Sequence, residues 1–573
     1  MERRVLIAIF LSFIVLYAYQ AFFVKPAPKP GAAGAQTQSS KTEPPNVAKP
    51  AAPAAAVPAS APAAEPLVAD SQEKDTVVET RDVIAVITNR GARLKSWRLK
   101  KYLDQQDRKP QELIENKLPT QPLPMTLSTS DAQLDATLNS ALYTVAGAPS
   151  SMISTPADVR FEYSDAAGVH ATKTFHFVPD SYVVSVQVTV NQGNRAIAPA
   201  LVWGPAVGDV AEVTRYTQSA EGLLFPLNKN SPDRLSVKNV TQQPTYDGDF
   251  HFAGVDDNYF MTVALATGPS RVTYQPVTIP PPAGSKDTAR TLVTYSIAPQ
   301  KPQAVRFFVG PKDFGVLGAI GPEATKAINF GIFAVIVVPL LQSLKWIHGY
   351  VPNYGWDIII LTVLINLLIF PLRHKSVVSM RKMQEIQPEM KAIQDRYSKL
   401  KATDPAKQKM NQEMMALYKE RGVNPASGCV PMLLTLPLIY AFYALLSTAI
   451  ELRGAPFFGW IHDLSARDPY FITPILMGVS QLGQQLMMPT TGTDPAQQKM
   501  MMFMPIMFTF MFLWAPSGLA LYWLVSNLWT IGQQYATNYI IGPPATRTIR
   551  PAAERRLKRV GGGKTEAADA QKS

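Results

Sequence analysis

Residues capable of chemistry are few in this 573-residue chain, and their spacing suits no reaction. The six histidines are scattered singly, with no HExxH pair. The single cysteine, Cys429, permits neither an intrachain disulfide nor a Cys-cluster metal site. Gly561-Gly562-Gly563-Lys564-Thr565 has the ending of a phosphate-binding loop, but Lys558 stands where its first glycine belongs and no strand precedes it. Asp256-Asp257-Asn258 lacks the spacing of a calcium loop and reads as a turn. No catalytic residue, metal site or cofactor is expected.

What stands out instead is uncharged polarity inside apolar runs. Thr362 and Asn366 lie one turn apart in Trp356–Leu372. Ser480, Gln481, Gln484 and Gln485 stripe Phe471–Met488, and Ser526, Asn527, Thr530, Gln533 and Gln534 follow Trp523 in Leu519–Tyr535. Thr435 sits early in Val430–Ile450. Such side chains are costly in lipid and face a cavity or another helix. If Val430–Ile450 runs outward and the other three run inward, every one lies centrally or toward the cytoplasm. A hydrophilic groove, open to the cytoplasm and inner leaflet and sealed outside, is the expectation. Interhelical hydrogen bonding, worth about 0.6 kcal/mol per contact, is the competing explanation. Sixteen of the twenty methionines fall between Met380 and Met511, where adaptable thioethers suit varied apolar partners.

The elements that must position these residues follow from hydropathy and charge. Apolar runs occupy Ala327–Leu341, Trp356–Leu372, Val430–Ile450, Phe471–Met488, Met500–Trp514 and Leu519–Tyr535. Arg373–Arg421 carries twelve Lys/Arg against six Asp/Glu, and the tail after Ala545 carries eight against three, so both are cytoplasmic. A crossing at Ala327–Leu341 would put the first basic segment outside. That run is therefore read as an amphipathic helix along the outer surface, within 314–350. The core, 351–540, then has five spans, with a helical hairpin at 374–422. Its seams are Ile386, Met390, Ile393, Tyr397 and Leu400 against Met410, Met414, Leu417 and Tyr418, and Asp404-Pro405 opens the second arm. Gly422 reads as that arm's stop. The basic hairpin suits nascent chains, the ribosome or anionic lipids, which charge alone does not separate. No DNA partner is expected.

The amino-terminal half divides differently. Residues 1–24 read as an uncleaved anchor helix with a cytoplasmic start, and 25–75 as an Ala/Pro-rich spacer. Residues 76–313 show period-2 patterning, clearest at Ser181–Val190 and repeated at Val77–Thr88, Arg160–Tyr163, Thr172–Phe177, Arg271–Val277 and Leu292–Ile297. The expected fold is a polytopic helical membrane protein with a periplasmic β-sandwich, and 541–573 form a basic cytoplasmic tail.

Gln412–Lys419, Val423-Asn424-Pro425, Gly428-Cys429, Glu451–Pro456, Trp460–Ser465, Pro474–Gly478, Asp494-Pro495, Trp514–Leu519 and Ser526-Asn527-Leu528 together resemble the Oxa/YidC/Alb insertase family of the bacterial inner membrane, in its Gram-negative form. The resemblance is dense from Trp346 to about Gln534. It implies a five-helix core around a cytoplasm-facing groove, and insertion and folding of nascent membrane proteins, alone or with the Sec translocon. It also implies a β-supersandwich touching a Sec accessory component. Thr362 and Tyr522-Trp523 match substrate-contact positions. Asn366 stands where the family's groove arginine would be, and Arg373, seven residues on and about 20° from the same face, is expected to supply charge at the groove mouth. A transporter or channel is the alternative, but neither a repeat nor an intramembrane charge pair is found.

Overall fold

The computed structural model describes residues 65–104, 108–114, 122–205, 220–279, 290–397, 406–423, 430–487 and 495–541. The anchor, the basic tail, Asp404-Pro405, Cys429 and most of the spacer lie outside them.

The first half is antiparallel sheet. Asp75–Glu79, Val83–Thr88, Arg93–Leu103 and Pro110–Glu112 form a four-stranded sheet in that order. The run Val77–Thr88 is thus two strands, because Thr80 Oγ1 accepts from the backbone N–H groups of Asp82 (3.2 Å) and Val83 (2.9 Å) and turns the chain. The alternation at Ser181–Val190 becomes the strand Val183–Gln192, with Val184, Val186 and Val190 buried while Gln187 and Thr189 face out. It belongs to a fifteen-stranded sheet. Within that sheet Thr245–Asp256 pairs through its first half with Pro269–Ile279 and through its second with Phe260–Leu265. One strand that changes partners midway makes a corner between two sheet layers. Lys173 ties the layers: its buried ammonium donates to the carbonyls of Gly91 (2.6 Å), Ala92 (3.2 Å) and Met125 (2.7 Å).

Short helices Ala132–Ser140 (α1), Val237–Gln242 (α2) and Phe314–Ile320 (α3) decorate this region. The second half is helical: Ala334–His348 (α4), Tyr354–Glu385 (α5), Gln387–Arg396 (α6), Ala406–Glu420 (α7), Val430–Thr448 (α8), Ile472–Met487 (α9), Pro495–Phe512 (α10) and Ser517–Ile541 (α11). α5 runs on through Pro371, so the hairpin boundary expected at 374 falls inside a helix of 32 residues. Beyond it, Met383, Ile386, Met390, Leu417, Tyr418 and Val423 bury one another, with Tyr397 donating to Glu413 (2.8 Å). Gly422, at φ +62°, ends α7 in a conformation favouring glycine.

α4, in the segment expected to be a surface helix, runs alongside the second half of α8, with the Phe333 ring 4.5 Å from Tyr440 at one end and Lys345 3.1 Å from Glu451 at the other. Its apolar face, Val337, Leu340, Leu341, Leu344 and Ile347, needs an apolar partner, and the flank of α8 supplies one.

Candidate functional site

The β region grips one end of the helices, called here the outer end. Asn258 Nδ2 donates to the Ser447 carbonyl (2.7 Å), one of the carbonyls left open where α8 stops. Arg453, just beyond, donates to the Leu103 carbonyl (3.1 Å) and Gln111 Oε1 (2.9 Å) and lies over the rings of Tyr259 and Phe260. Asp256-Asp257-Asn258 is indeed a turn: Asp257 Oδ1 accepts from the N–H groups of Tyr259 and Phe260, while Asp256 pairs with Arg234 and Lys312. Among the described residues no cluster could hold a metal ion.

The loop after α8 locks the other outer ends. Ser517 N–H donates to the Ala466 carbonyl (2.7 Å) and Gly518 N–H to Leu464 (3.0 Å), while Asn353 Nδ2 donates to Phe457 (3.0 Å). Buried Asp468 caps the start of α9 through Thr473 and accepts from Trp460 Nε1. Four hydrogen bonds hold its carboxyl below the usual range despite burial. Beneath the loop, Phe442 stacks on Tyr522 at 4.0 Å, among Ile358, Leu361, Leu445 and Leu446.

Inward of this packing the seams turn polar. Thr362, fully buried, donates to the Ile358 carbonyl (2.6 Å). Asn366 donates to the Thr362 carbonyl (2.8 Å) and lies 3.5 Å from Ser526 Oγ across the α5–α11 seam. Arg373 reaches back up α5: its Nη1 donates to Asn366 Oδ1 (2.9 Å) and to Thr530 Oγ1 (3.1 Å). The charge expected at the groove mouth therefore sits at the level of Asn366, because helical side chains lean toward the N-terminus. On the α9–α11 seam Asn527 donates to Ser480 Oγ (3.1 Å) and the Met477 carbonyl (3.2 Å). Gln481, next to Ser480, and Gln484, about one turn inward, are half-buried.

Not every expected site residue joins this cluster. Tyr522 stacks on Phe442 while its hydroxyl reaches Ser526 of the polar seam and lies near Arg373, whereas Trp523, 100° round the helix, packs on Phe508 (5.5 Å) and Phe512 (4.9 Å) of α10. The Thr435 side chain lies outside the described ones. Sequence reasoning passed over His374, Ser376, Trp529 and Thr537. Ser376 and Thr537 continue the spacings 366, 373, 376 and 526, 530, 533, 537, a periodic signal that stopped being followed where the apolar run ended.

The outward faces are apolar. Ile472, Ile475, Leu476, Val479, Leu482 and Leu486 are exposed on α9, and Phe503, Ile506, Met507, Phe510 and Trp514 along and just beyond α10. Inward Ser480 and outward Val479 invert the pattern of a water-facing helix, as a lipid-facing one requires. α9 and α10 touch at Gly478, where an added Cβ would collide with Thr509 Oγ1. Among the described residues, 331–348 and 354–379 are long and apolar enough to cross a membrane.

Two family profiles match this chain: the YidC periplasmic domain over residues 75–343 and the 60Kd inner membrane protein over 346–543. It is 37% identical to the membrane protein insertase YidC of Geobacter metallireducens, covering 94% of this chain and 98% of that one. It is 35% identical to that of Syntrophus aciditrophicus, covering 94% and 99%. A crystal structure of an active YidC insertase with its first transmembrane domain resolved matches at 19% identity over 83% of this chain and 95% of that one. Its TM-score, 0.34, is too low to bear on the arrangement.

Proposed function

The chain belongs to the YidC family of membrane protein insertases, and from that premise we propose that it inserts nascent membrane proteins through the inner half of the α5–α9–α11 seams, working as a hydrophilic groove open to the cytoplasm and inner leaflet. One observation carries this reading: the same helices are packed with apolar side chains at the outer end and lined by polar ones inward of Thr362. A substrate's polar tail can leave water for such a groove without losing hydrogen bonds, while its apolar segment meets lipid along the outward faces. Cysteines replacing Gln481 and Gln484, in a Cys429→Ser background, should label with a membrane-impermeant reagent from the cytoplasmic side. Uniform inertness at both would leave interhelical packing as the explanation.

The topology that fits is an anchor plus α5, α8, α9, α10 and α11 as spans, with both termini cytoplasmic. α4 fits the outer leaflet only: the stretch of α8 it follows, Tyr440 to Glu451, covers about 16 Å, half of a hydrocarbon core of about 30 Å. Exposed Trp346, Tyr350, Trp356, Phe458, Tyr470 and Trp514 suit the outer interface, where aromatic rings collect. The basic hairpin, 374–422, would meet the ribosome or anionic headgroups, and the β domain the Sec translocon and its accessory components. Single cysteines at Gly349 and Asp463 should label from outside and one at Ser398 should not; the reverse at Ser398 and Asp463 would sink the five-span core.

A further inference from the structure

Of the eleven buried polar side-chain atoms with no hydrogen-bond partner among the described residues, five lie in the inner halves of α5, α9 and α11. They are His374 Nδ1, Gln481 Oε1, Trp529 Nε1 and both carboxamide atoms of Gln533. Gln533 is 7% exposed and follows Ser526 and Thr530 on the face of α11 that meets Asn366 and Arg373. Burying a carboxamide with neither end satisfied destabilises a protein. Such a side chain is retained where its partner arrives with the substrate.

The chemistry of these atoms narrows that partner. Apart from His374, which can act either way, Trp529 Nε1 and Gln533 Nε2 donate while Gln481 Oε1 and Gln533 Oε1 accept. An acidic substrate group would call for donors alone, and a basic one for acceptors alone. A peptide group presents one N–H and one C=O, and a carboxamide matches it in shape and polarity. We propose that Gln533 hydrogen-bonds the backbone amides of the chain being inserted, with Trp529 contributing a further donor and Gln481 a further acceptor. The inner seam then recognises polypeptide as such, whatever its side chains. A backbone leaving water for lipid by way of the groove needs such partners until its own helix forms. This inference rests on the insertase reading and specifies what the groove binds.

The test uses the full chain in proteoliposomes and single-span substrates whose tails are neutral, acidic or basic, made with either normal amides or backbone esters in the inserting segment. Gln533→Met, of similar volume, should slow insertion about tenfold for all three tails alike. Ester substitution should slow the parental protein comparably, and the two changes together should be no worse than either alone. An unchanged rate, a loss confined to one tail charge, or multiplying effects of variant and ester would each overturn backbone recognition. If Gln533→Met does not fold by thermal melting, Gln533→Asn takes its place: its shorter carboxamide should restore part of the ester sensitivity, and none would count against the proposal. Failure of the parental protein to insert any substrate would overturn the insertase reading instead.

Discussion

At the outer end of the helices Ala441, Phe442, Leu446 and Ala520 are wholly buried, and a loop hydrogen-bonded to α11 and to the loop preceding α5 covers them. Two to four turns inward, α5, α9 and α11 present Asn366, Arg373, Ser480, Asn527 and Gln533, several bonded to one another and Gln533 with no partner among the described residues. The outer half is built as a domain core, whereas the inner half leaves polar groups facing one another. On the proposed reading, the difference teaches that stability and function are separated by depth along the helices. Substitutions at the two levels should therefore fail in different assays.

The largest effect belongs to the outer half. Phe442→Ala removes a wholly buried ring stacked on Tyr522 and should cost about 3–5 kcal/mol of stability, read by thermal unfolding in detergent. A loss below about 1 kcal/mol would mean the outer half is not a packed seal. The grip of the β domain on that end should depend on pH. Burial pushes the Asp257 carboxyl up to about 7, and its Oδ2 has no partner among the described residues. With a folded value above the unfolded one, the protonated form's contribution is complete below about pH 3.8 and is lost as pH rises through about 7. Stability at pH 8 should therefore lie about 2 kcal/mol below that at pH 5.5, and Asp257→Asn should flatten the difference. A parental protein as stable at pH 8 as at pH 5.5 would contradict this.

In the inner half the readout is insertion. Arg373→Gln should slow substrates with acidic tails about tenfold while leaving neutral ones near the parental rate, and Asn366→Arg in that background should restore them. Equal insertion of acidic tails by Arg373→Gln would end the idea that this guanidinium supplies the groove's charge. The smallest effect is expected at Ser480→Ala, which removes one acceptor of Asn527 and should change stability by less than about 1 kcal/mol. A loss rivalling Phe442→Ala would erase the distinction between the halves.

Much of this was legible in the sequence where it had a period. The 3.6-residue recurrence of Thr362, Asn366, Ser526 and Thr530 located the seams, and strict alternation at Ser181–Val190 located a strand that runs two residues later, Val183–Gln192, with Val188 only partly buried. Contacts between distant segments carry no such signal. Nothing local couples Asn258 to Ser447 or Arg453 to Leu103, so the grip of the β domain stayed invisible. The packing of α4 on α8 had no such signal either, because charge fixes which side a helix lies on and not what it leans against. Tyr522 and Trp523 read as a pair although one residue turns a helix by 100°, which sends them to different neighbours.

The loop between Ile450 and Phe471 touches residues far apart in the order of synthesis. Its partners include Asn353, made about a hundred residues earlier, and Ser517 and Gly518, made about fifty later. While the chain is being made, the outer end therefore cannot close when α5, α8 and α9 are in place; closure waits for the first turn of α11. Until then the outer end lacks that hydrogen-bonded cover, and a ribosome stalled anywhere before Ser517 would leave it so. Among the described helices, the last to be translated is the one that fastens the outer end.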